Sequence, residues 1–144
     1  MSSISKKFVN PAQIESAIIE VTKLAEAEGV HVALAGGVAM QLYGSDRLTQ
    51  DVDFVASGSI AALEPTGDLM LGGYSAVTRE AVPVDIMIRD DEYRDLYERA
   101  LLEAKFDQEV GSFVVGAEYL AAMKFQAKRA KDTEDLRHLL LRDG

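Results

Sequence analysis

Cysteine is absent from this sequence of 144 residues, and no apolar run approaches the length that crosses a lipid bilayer. The first absence excludes disulfides and thiolate chemistry. The second gives no transmembrane helix, which needs about 20 consecutive apolar residues. The opening segment MSSISKKFVN has two lysines with no apolar stretch behind them, so we expect no secretory leader. Together these absences predict a cytoplasmic protein without a membrane partner.

Positive charge is scarce, with 15 lysines and arginines against 24 acidic residues and a net charge of −9. Such a field repels phosphates, which excludes nucleic-acid binding through overall charge. The only dense basic segment runs from Lys124 to Lys131. Length and an ordinary 48% hydrophobic content fit one domain, and no linker divides the chain. We therefore expect a single domain over residues 1–144.

Hydrophobic periodicity and glycine or proline punctuation predict an α+β arrangement. A helix opens at Asn10-Pro11 and ends at Gly29, and Pro83 inside a predicted strand indicates an edge position or a bulge. The remaining predicted helices cover residues 38–43, 91–104, 118–130 and 133–141, and the predicted strands cover 31–35, 51–55, 69–71, 74–78, 81–88 and 112–115.

The chain is organised around the segment LAGGVAMQLYGSDRLTQDVDFV. Gly36 and Gly37 stand where a strand turns into a helix, and backbone N–H groups at such a turn suit a phosphate. Asp51 and Asp53 are two residues apart, so in a strand both carboxylates project from one face. Paired carboxylates repel each other unless a cation lies between them, and Mg²⁺ prefers such oxygen ligands. Two solvated acids on an edge strand are the alternative.

Asp85 is a lone carboxylate inside the apolar run VPVDIMI. Burying it without a partner is costly, so its surroundings decide its role. It either points outward from an edge strand, pairs with Arg79 or Arg89, or joins Asp51 and Asp53 as a third carboxylate.

The order of these motifs resembles the nucleotidyltransferase fold superfamily, and most of all its AbiEii-like branch and related minimal domains. The resemblance is carried by Gly36, Gly37, Ala39, Arg47, Thr49, Asp51 and Asp53. It covers nearly the whole chain and implies a mixed β-sheet flanked by helices, with C-terminal helices packed on it. It also implies that Asp85 is the third acid. Gly37 stands where many members carry serine, so it offers no hydroxyl to the γ-phosphate.

The carboxyl-terminal segment YLAAMKFQAKRAKDTEDLRHLL is similar to the family's signature of a lysine followed by R-x-K-D-x-x-D-L. On that resemblance Lys124 contacts the triphosphate, and Lys128 is its neighbour one turn along the same face. A solvated basic face is the alternative. Arg47, in the loop before the acidic strand, either pairs with the carboxylates or contacts phosphate.

The resemblance implies that Asp51, Asp53 and Asp85 hold two Mg²⁺ or Mn²⁺ ions, with Asp85 taking the acceptor's proton. An NTP then donates its nucleoside monophosphate to a hydroxyl of RNA such as tRNA, a protein or a small molecule. The implied nucleotide contacts are Gly36, Gly37, Arg47, Lys124 and Lys128.

Small members of the family often act as toxins of toxin–antitoxin pairs, which implies an antitoxin partner. Little of the chain is left to bind an acceptor, so a partner or a second copy in a homodimer would dock it. The alternatives are a non-catalytic nucleotide-binding or regulatory module, and an unrelated α+β domain with solvated carboxylates.

Overall fold

The computed structural model of the chain describes residues 11–44 and 51–128. Its helices are α1 (Pro11–Ala27), α2 (Gly36–Leu42), α3 (Arg94–Leu102) and α4 (residues 117–128). Its strands are β1 (Val32–Ala35), β2 (Val52–Ala56), β3 (Gly67–Asp68), β4 (Gly73–Val77), β5 (Pro83–Met87), β6 (Lys105–Asp107) and β7 (Ser112–Val114). No helix among these described residues is long and apolar enough to cross a membrane.

The strands form one mixed sheet in the order β3-β4-β5-β2-β1-β7-β6. Strand β2 runs parallel to β5, and β1 runs parallel to β7, while the other neighbours are antiparallel. The central strands are β5, β2 and β1, and their most buried side chains include Leu34, Phe54 and Ile86. The predicted α+β fold, a mixed sheet flanked by helices, is therefore confirmed.

Helix α1 forms and ends as its sequence predicts. Its buried residues Ala17, Ile18, Val21 and Ala25 recur at three- and four-residue spacing, which places them on one face against the sheet. Gly29 has a φ of +72° and donates its N–H to the Glu26 carbonyl, while the Val30 N–H reaches the Ala25 carbonyl at 2.9 Å. These two bonds are a Schellman motif, so a glycine stops the helix.

The prediction for Pro83 was wrong, because β5 is an inner strand paired with β2 on one side and β4 on the other. Pro83 is the first residue of β5, opposite Val77, where a missing N–H costs the ladder little. The turn before it uses Ala81 at a φ of 65°. The Thr78 N–H donates to the Val82 carbonyl, the Ala81 N–H donates to the Thr78 carbonyl, and the Val82 N–H donates to Thr78 Oγ1. The strand is accordingly shorter than the predicted 81–88.

The region after β2 also differs from prediction. Residues 69–71, predicted as a strand, form the turn between β3 and β4, closed by the Leu69 N–H on the Gly73 carbonyl at 3.1 Å. Helix α3 starts three residues later than predicted, since the Asp91 carboxylate accepts the Tyr93 N–H before the helix begins.

At the carboxyl-terminal end, strand β6 was not predicted, since three residues carry too little alternation to be recognised. Helix α4 buries Leu120 and Met123 against the body of the protein. The predicted helix over 133–141 lies outside the described residues.

Candidate active site

Two carboxylates meet across the centre of the sheet. Asp53 on β2 and Asp85 on β5 are register partners on neighbouring parallel strands, so their side chains project from the same face. Burial of Asp53, followed by the charges of Asp85 and Asp51, raises the pKa of its carboxyl from 3.8 to about 7. A hydrogen bond with Asp85 raises this pKa further. Asp53 is therefore protonated below about pH 7, and its protonated carboxyl donates a hydrogen bond to Asp85.

Asp51 completes the acidic group one residue before β2. Its side chain is exposed, yet partial burial of the carboxyl and then the charge of Asp85 raise its pKa above 3.8. It lies two residues before Asp53 along the chain, the spacing from which the sequence predicts a shared face. The structure thus brings all three predicted carboxylates into electrostatic contact.

The glycine turn packs closely against the Asp53 side chain. Gly36 follows β1 at a φ of +62°, and a Cβ placed on it would lie 1.9 Å from Asp53 Oδ2. The Gly37 N–H donates a hydrogen bond to the Asp53 carboxylate, which lowers its pKa and partly offsets the other effects. The glycines therefore contact a carboxylate here, and their contact with phosphate stays a prediction.

Ser75 is a site residue that sequence reasoning missed. It lies opposite Asp85 on β4, and its hydroxyl donates to Asp85 Oδ1 at 2.8 Å. The alternation of buried Tyr74 and Ala76 around it was a usable signal, since it turns Ser75 to the other face. Asp85 is therefore held by a hydroxyl from one neighbouring strand and a carboxyl from the other.

Arg89 was weighed as a partner of Asp85 and has a different role. Its Nε donates to Asp91 Oδ1 at 3.2 Å, and its Nη1 donates to Gln126 Oε1 at 3.1 Å. The guanidinium carbon lies 5.2 Å from the ring centroids of both Tyr93 and Tyr97. Arg89 thereby joins the end of β5 to helix α4, which carries Lys124.

The acidic group opens into a cavity of about 590 Å³. Gly36, Gly37, Asp53, Asp85 and Lys124 line it, so five of the predicted site residues share one space. Methionine and leucine side chains supply most of the remaining wall: Met40, Leu69, Met70, Leu71, Met87, Leu120 and Met123.

Helix α4 turns one stripe toward this cavity. Leu120, Met123, Lys124 and Ala127 are spaced three and four residues apart, which places them on a single helical face. Lys128 is exposed on the next turn and does not line the cavity. Arg47 lies outside the described residues.

The donor set suits a hard divalent cation. Carboxylate oxygens are what Mg²⁺ and Mn²⁺ bind in proteins. Burial of Asp53, followed by the charges of Asp85 and Asp51, raises its pKa, and a nearby cation would oppose this effect. Within 11–44 and 51–128, no three His, Cys, Asp or Glu side chains are already grouped around a common metal position. A cation would have to compete with the proton that the raised pKa favours on Asp53.

Comparison with known proteins gives a structural likeness and no sequence match. No protein-family profile matches the chain, and no curated protein matches it. A candidate nucleotidyltransferase from Thermotoga maritima superposes with a TM-score of 0.65 at 14% identity, covering 92% of this chain and 96% of the other. An antigenic nucleotidyltransferase-like protein from Paracoccidioides brasiliensis gives a TM-score of 0.48 at 14% identity, covering 78% of this chain and 64% of its own. The chain therefore has a nucleotidyltransferase fold.

Proposed function

We propose that this chain is a metal-dependent nucleotidyltransferase that moves a nucleoside monophosphate from an NTP to a hydroxyl acceptor. The observation that carries the proposal is the pairing of Asp53 with Asp85 across β2 and β5, with Asp51 beside them. The charges of neighbouring acids raise the pKa values of Asp51 and Asp53, and a cation in place of the proton would relieve this repulsion. A fold alone would not require this cluster.

Asp51, Asp53 and Asp85 would hold two Mg²⁺ or Mn²⁺ ions. When bound, such ions polarise the α-phosphorus, lower the pKa of the acceptor hydroxyl and neutralise departing pyrophosphate. Asp85 receives the proton of the acceptor hydroxyl as its oxygen bonds to the α-phosphorus and the bond to pyrophosphate breaks. The Ser75 hydroxyl, 2.8 Å from Asp85 Oδ1, keeps that carboxylate oriented for the transfer.

The triphosphate would lie between the glycine turn and α4. Lys124 is the cation of α4 that lines the cavity, which supports a contact with the β- and γ-phosphates. Gly36 and Gly37 would contact the triphosphate through their backbone N–H groups, and the Gly37 N–H, which bonds Asp53 here, would be free to do so only if metal replaced that bond. Lys128 and Arg47 remain proposed contacts from the family resemblance.

The acceptor and the biological role rest on that resemblance alone. We propose an AbiEii-like cytoplasmic enzyme whose acceptor is a hydroxyl of tRNA, a protein or a small molecule. A role as the toxin of a toxin–antitoxin pair would supply an antitoxin partner, and a homodimer would supply surface for docking the acceptor.

Incubation with each α-labelled NTP, Mg²⁺ or Mn²⁺, and total tRNA or cell extract tests the proposal. Label should enter an acceptor with the wild type and disappear with Asp53→Asn and Asp85→Asn. Asp95→Asn, which changes an exposed acid on α3, is the matched control and should keep full activity. Transfer that survives Asp85→Asn would refute the assignment.

The second candidate is a nucleotide-binding module without catalysis. The hydrogen bond between Asp53 and Asp85 on the neighbouring strands β2 and β5 is the observation that favours it, since the two side chains are partners without metal. Metal-dependent NTP binding with no transfer to any acceptor would establish this alternative.

A further inference from the structure

Four of the five methionines of the chain line the cavity that Asp53 and Asp85 also line: Met40, Met70, Met87 and Met123. They come from four different parts of the fold, namely α2, the β3–β4 turn, β5 and α4. Methionine is flexible and polarisable, and its sulfur makes favourable contacts with aromatic rings. Such a wall suits a flat apolar group of variable shape.

One of these methionines lies next to the carboxylates on β5. Asp85 and Met87 are two residues apart on one face, about 7 Å along the strand, and both line the cavity. Gly73 lies opposite Met87 on β4, so no neighbouring side chain covers the methionine there. A Cβ on Gly73 would lie 2.0 Å from the Ile86 carbonyl oxygen, so this gap is built into the sheet.

We infer that the methionine-lined part of the cavity is the nucleobase subsite, and that it selects bases by ring surface rather than by their hydrogen-bonding edges. The inference rests on the proposed function, because the triphosphate at the carboxylates and Lys124 places the base in the same cavity. Lys124 and Arg89 are the cationic side chains among its described lining residues, and Arg89 is already committed to Asp91 and Gln126.

Selection of bases by ring surface predicts a defined order of NTP affinities. An apolar pocket discriminates weakly between ligands of equal shape, whereas a site built to hydrogen-bond a substrate rejects a mismatched one strongly. We therefore expect ATP and GTP to bind within about threefold of each other, and CTP and UTP likewise. Purines should bind about fivefold tighter than pyrimidines, since they bury more apolar surface.

Titration calorimetry with the Mg²⁺ complexes of the four NTPs and of inorganic tripolyphosphate tests this. The affinity for tripolyphosphate, which has no base, reports the contribution of the polar part of the site alone. The excess affinity of each NTP over tripolyphosphate then reports the base subsite. Each NTP should bind at least tenfold tighter than tripolyphosphate.

Met70→Ser is the test variant, because Met70 is 74% exposed and the fold does not depend on it. The substitution should weaken the binding of every NTP by about threefold to tenfold and leave the affinity for tripolyphosphate unchanged. Leu102→Ser is the matched control, since Leu102 is 84% exposed on α3 and does not line the cavity. This substitution should change the affinity for neither the NTPs nor tripolyphosphate.

The outcomes separate the inference from the proposed function. Tripolyphosphate binding as tightly as the NTPs, or ATP and GTP differing by more than about 30-fold, would overturn the base subsite while leaving the triphosphate site standing. An unchanged NTP affinity in Met70→Ser would also overturn it. Absence of binding by every triphosphate would refute the proposed function and this inference with it.

Discussion

At the scale of single residues, Asp53 is the centre of the candidate site, and its charged form destabilises the folded protein. Its carboxyl is largely buried, faces two other acids and is hydrogen-bonded to Asp85, so its pKa rises to about 7. Groups that weaken a fold in this way are typical of functional sites, where the weakness is offset by a ligand.

Asp53→Asn should stabilise the protein above neutral pH. Because the folded pKa lies above the ordinary 3.8, the folded state binds more protons, and the free energy of unfolding falls as pH rises from about 4 to about 7. Asparagine removes this loss, so the variant should gain roughly 1–3 kcal/mol at pH 8 and little at pH 4. Urea unfolding at both pH values in EDTA measures the effect. An Asp53→Asn curve that keeps the wild-type pH dependence would contradict it.

Gly36→Ala should destabilise the protein more than Gly29→Ala does. Both glycines have positive φ, +62° and +72°, so alanine is strained at either position by about 1 kcal/mol. Only at Gly36 would the new Cβ meet Asp53 Oδ2, while nothing lies within 4 Å at Gly29. We expect a further loss of roughly 1–3 kcal/mol for Gly36→Ala. Equal losses in the two variants would show that the close approach carries no energy.

At the scale of elements, the site depends on how β5 is joined to α4. Arg89 lies at the end of β5, is buried, and reaches Gln126 on α4 while Tyr93 and Tyr97 flank its guanidinium. Lys124 is on the same helix, so this contact sets where the helix places its lysine. Removing a partner of a buried arginine leaves an uncompensated charge, so the contact between Arg89 and Gln126 should be sensitive to substitution.

Gln126→Leu should destabilise the protein by about 2–4 kcal/mol, since it leaves the buried Arg89 guanidinium without its acceptor on α4. Arg94→Met breaks an exposed pair with Glu98 on α3 and should leave stability unchanged within error. Denaturant unfolding of the two variants beside wild type measures the difference. Similar midpoints for Gln126→Leu and wild type would show that Arg89 finds other partners.

At the scale of the whole molecule, the protein carries a net charge of −9 and concentrates three carboxylates at the centre of its sheet. Both features favour a divalent cation over an anionic ligand without metal. A triphosphate bound as proposed would therefore need a cation as a bridge, and binding of that cation would be coupled to the stability of the fold.

Millimolar Mg²⁺ or Mn²⁺ should raise the melting temperature by several degrees at pH 8 and by much less at pH 5. The proposed metal site would exist only in the folded state, and protons would compete with metal for Asp53 at low pH. Asp53→Asn should lose most of the shift, while Asp95→Asn should keep it. A shift that is equal at both pH values, or present in Asp53→Asn, would place the metal elsewhere.

Much of the site could be predicted because its parts are local. The spacing of Asp51 and Asp53, the glycine pair before them and the stripe that includes Lys124 follow from the periods of a strand and a helix. Pro83 misled the prediction because proline also suits the first residue of an inner strand. Ser75 was missed and Arg89 was weighed only as a partner of Asp85, because their roles depend on partners 10 and 37 residues away.

The sequence by itself determined the α+β class, the ends of helix α1 and the shared face of the paired acids. These depend on backbone geometry and on neighbours within a few residues. Only the tertiary structure decided that Asp85 stands opposite Asp53, that Ser75 orients it, and that four methionines meet in one cavity. Strand order and register arise from burying surfaces that are distant in the chain, and such burial leaves no local pattern to read.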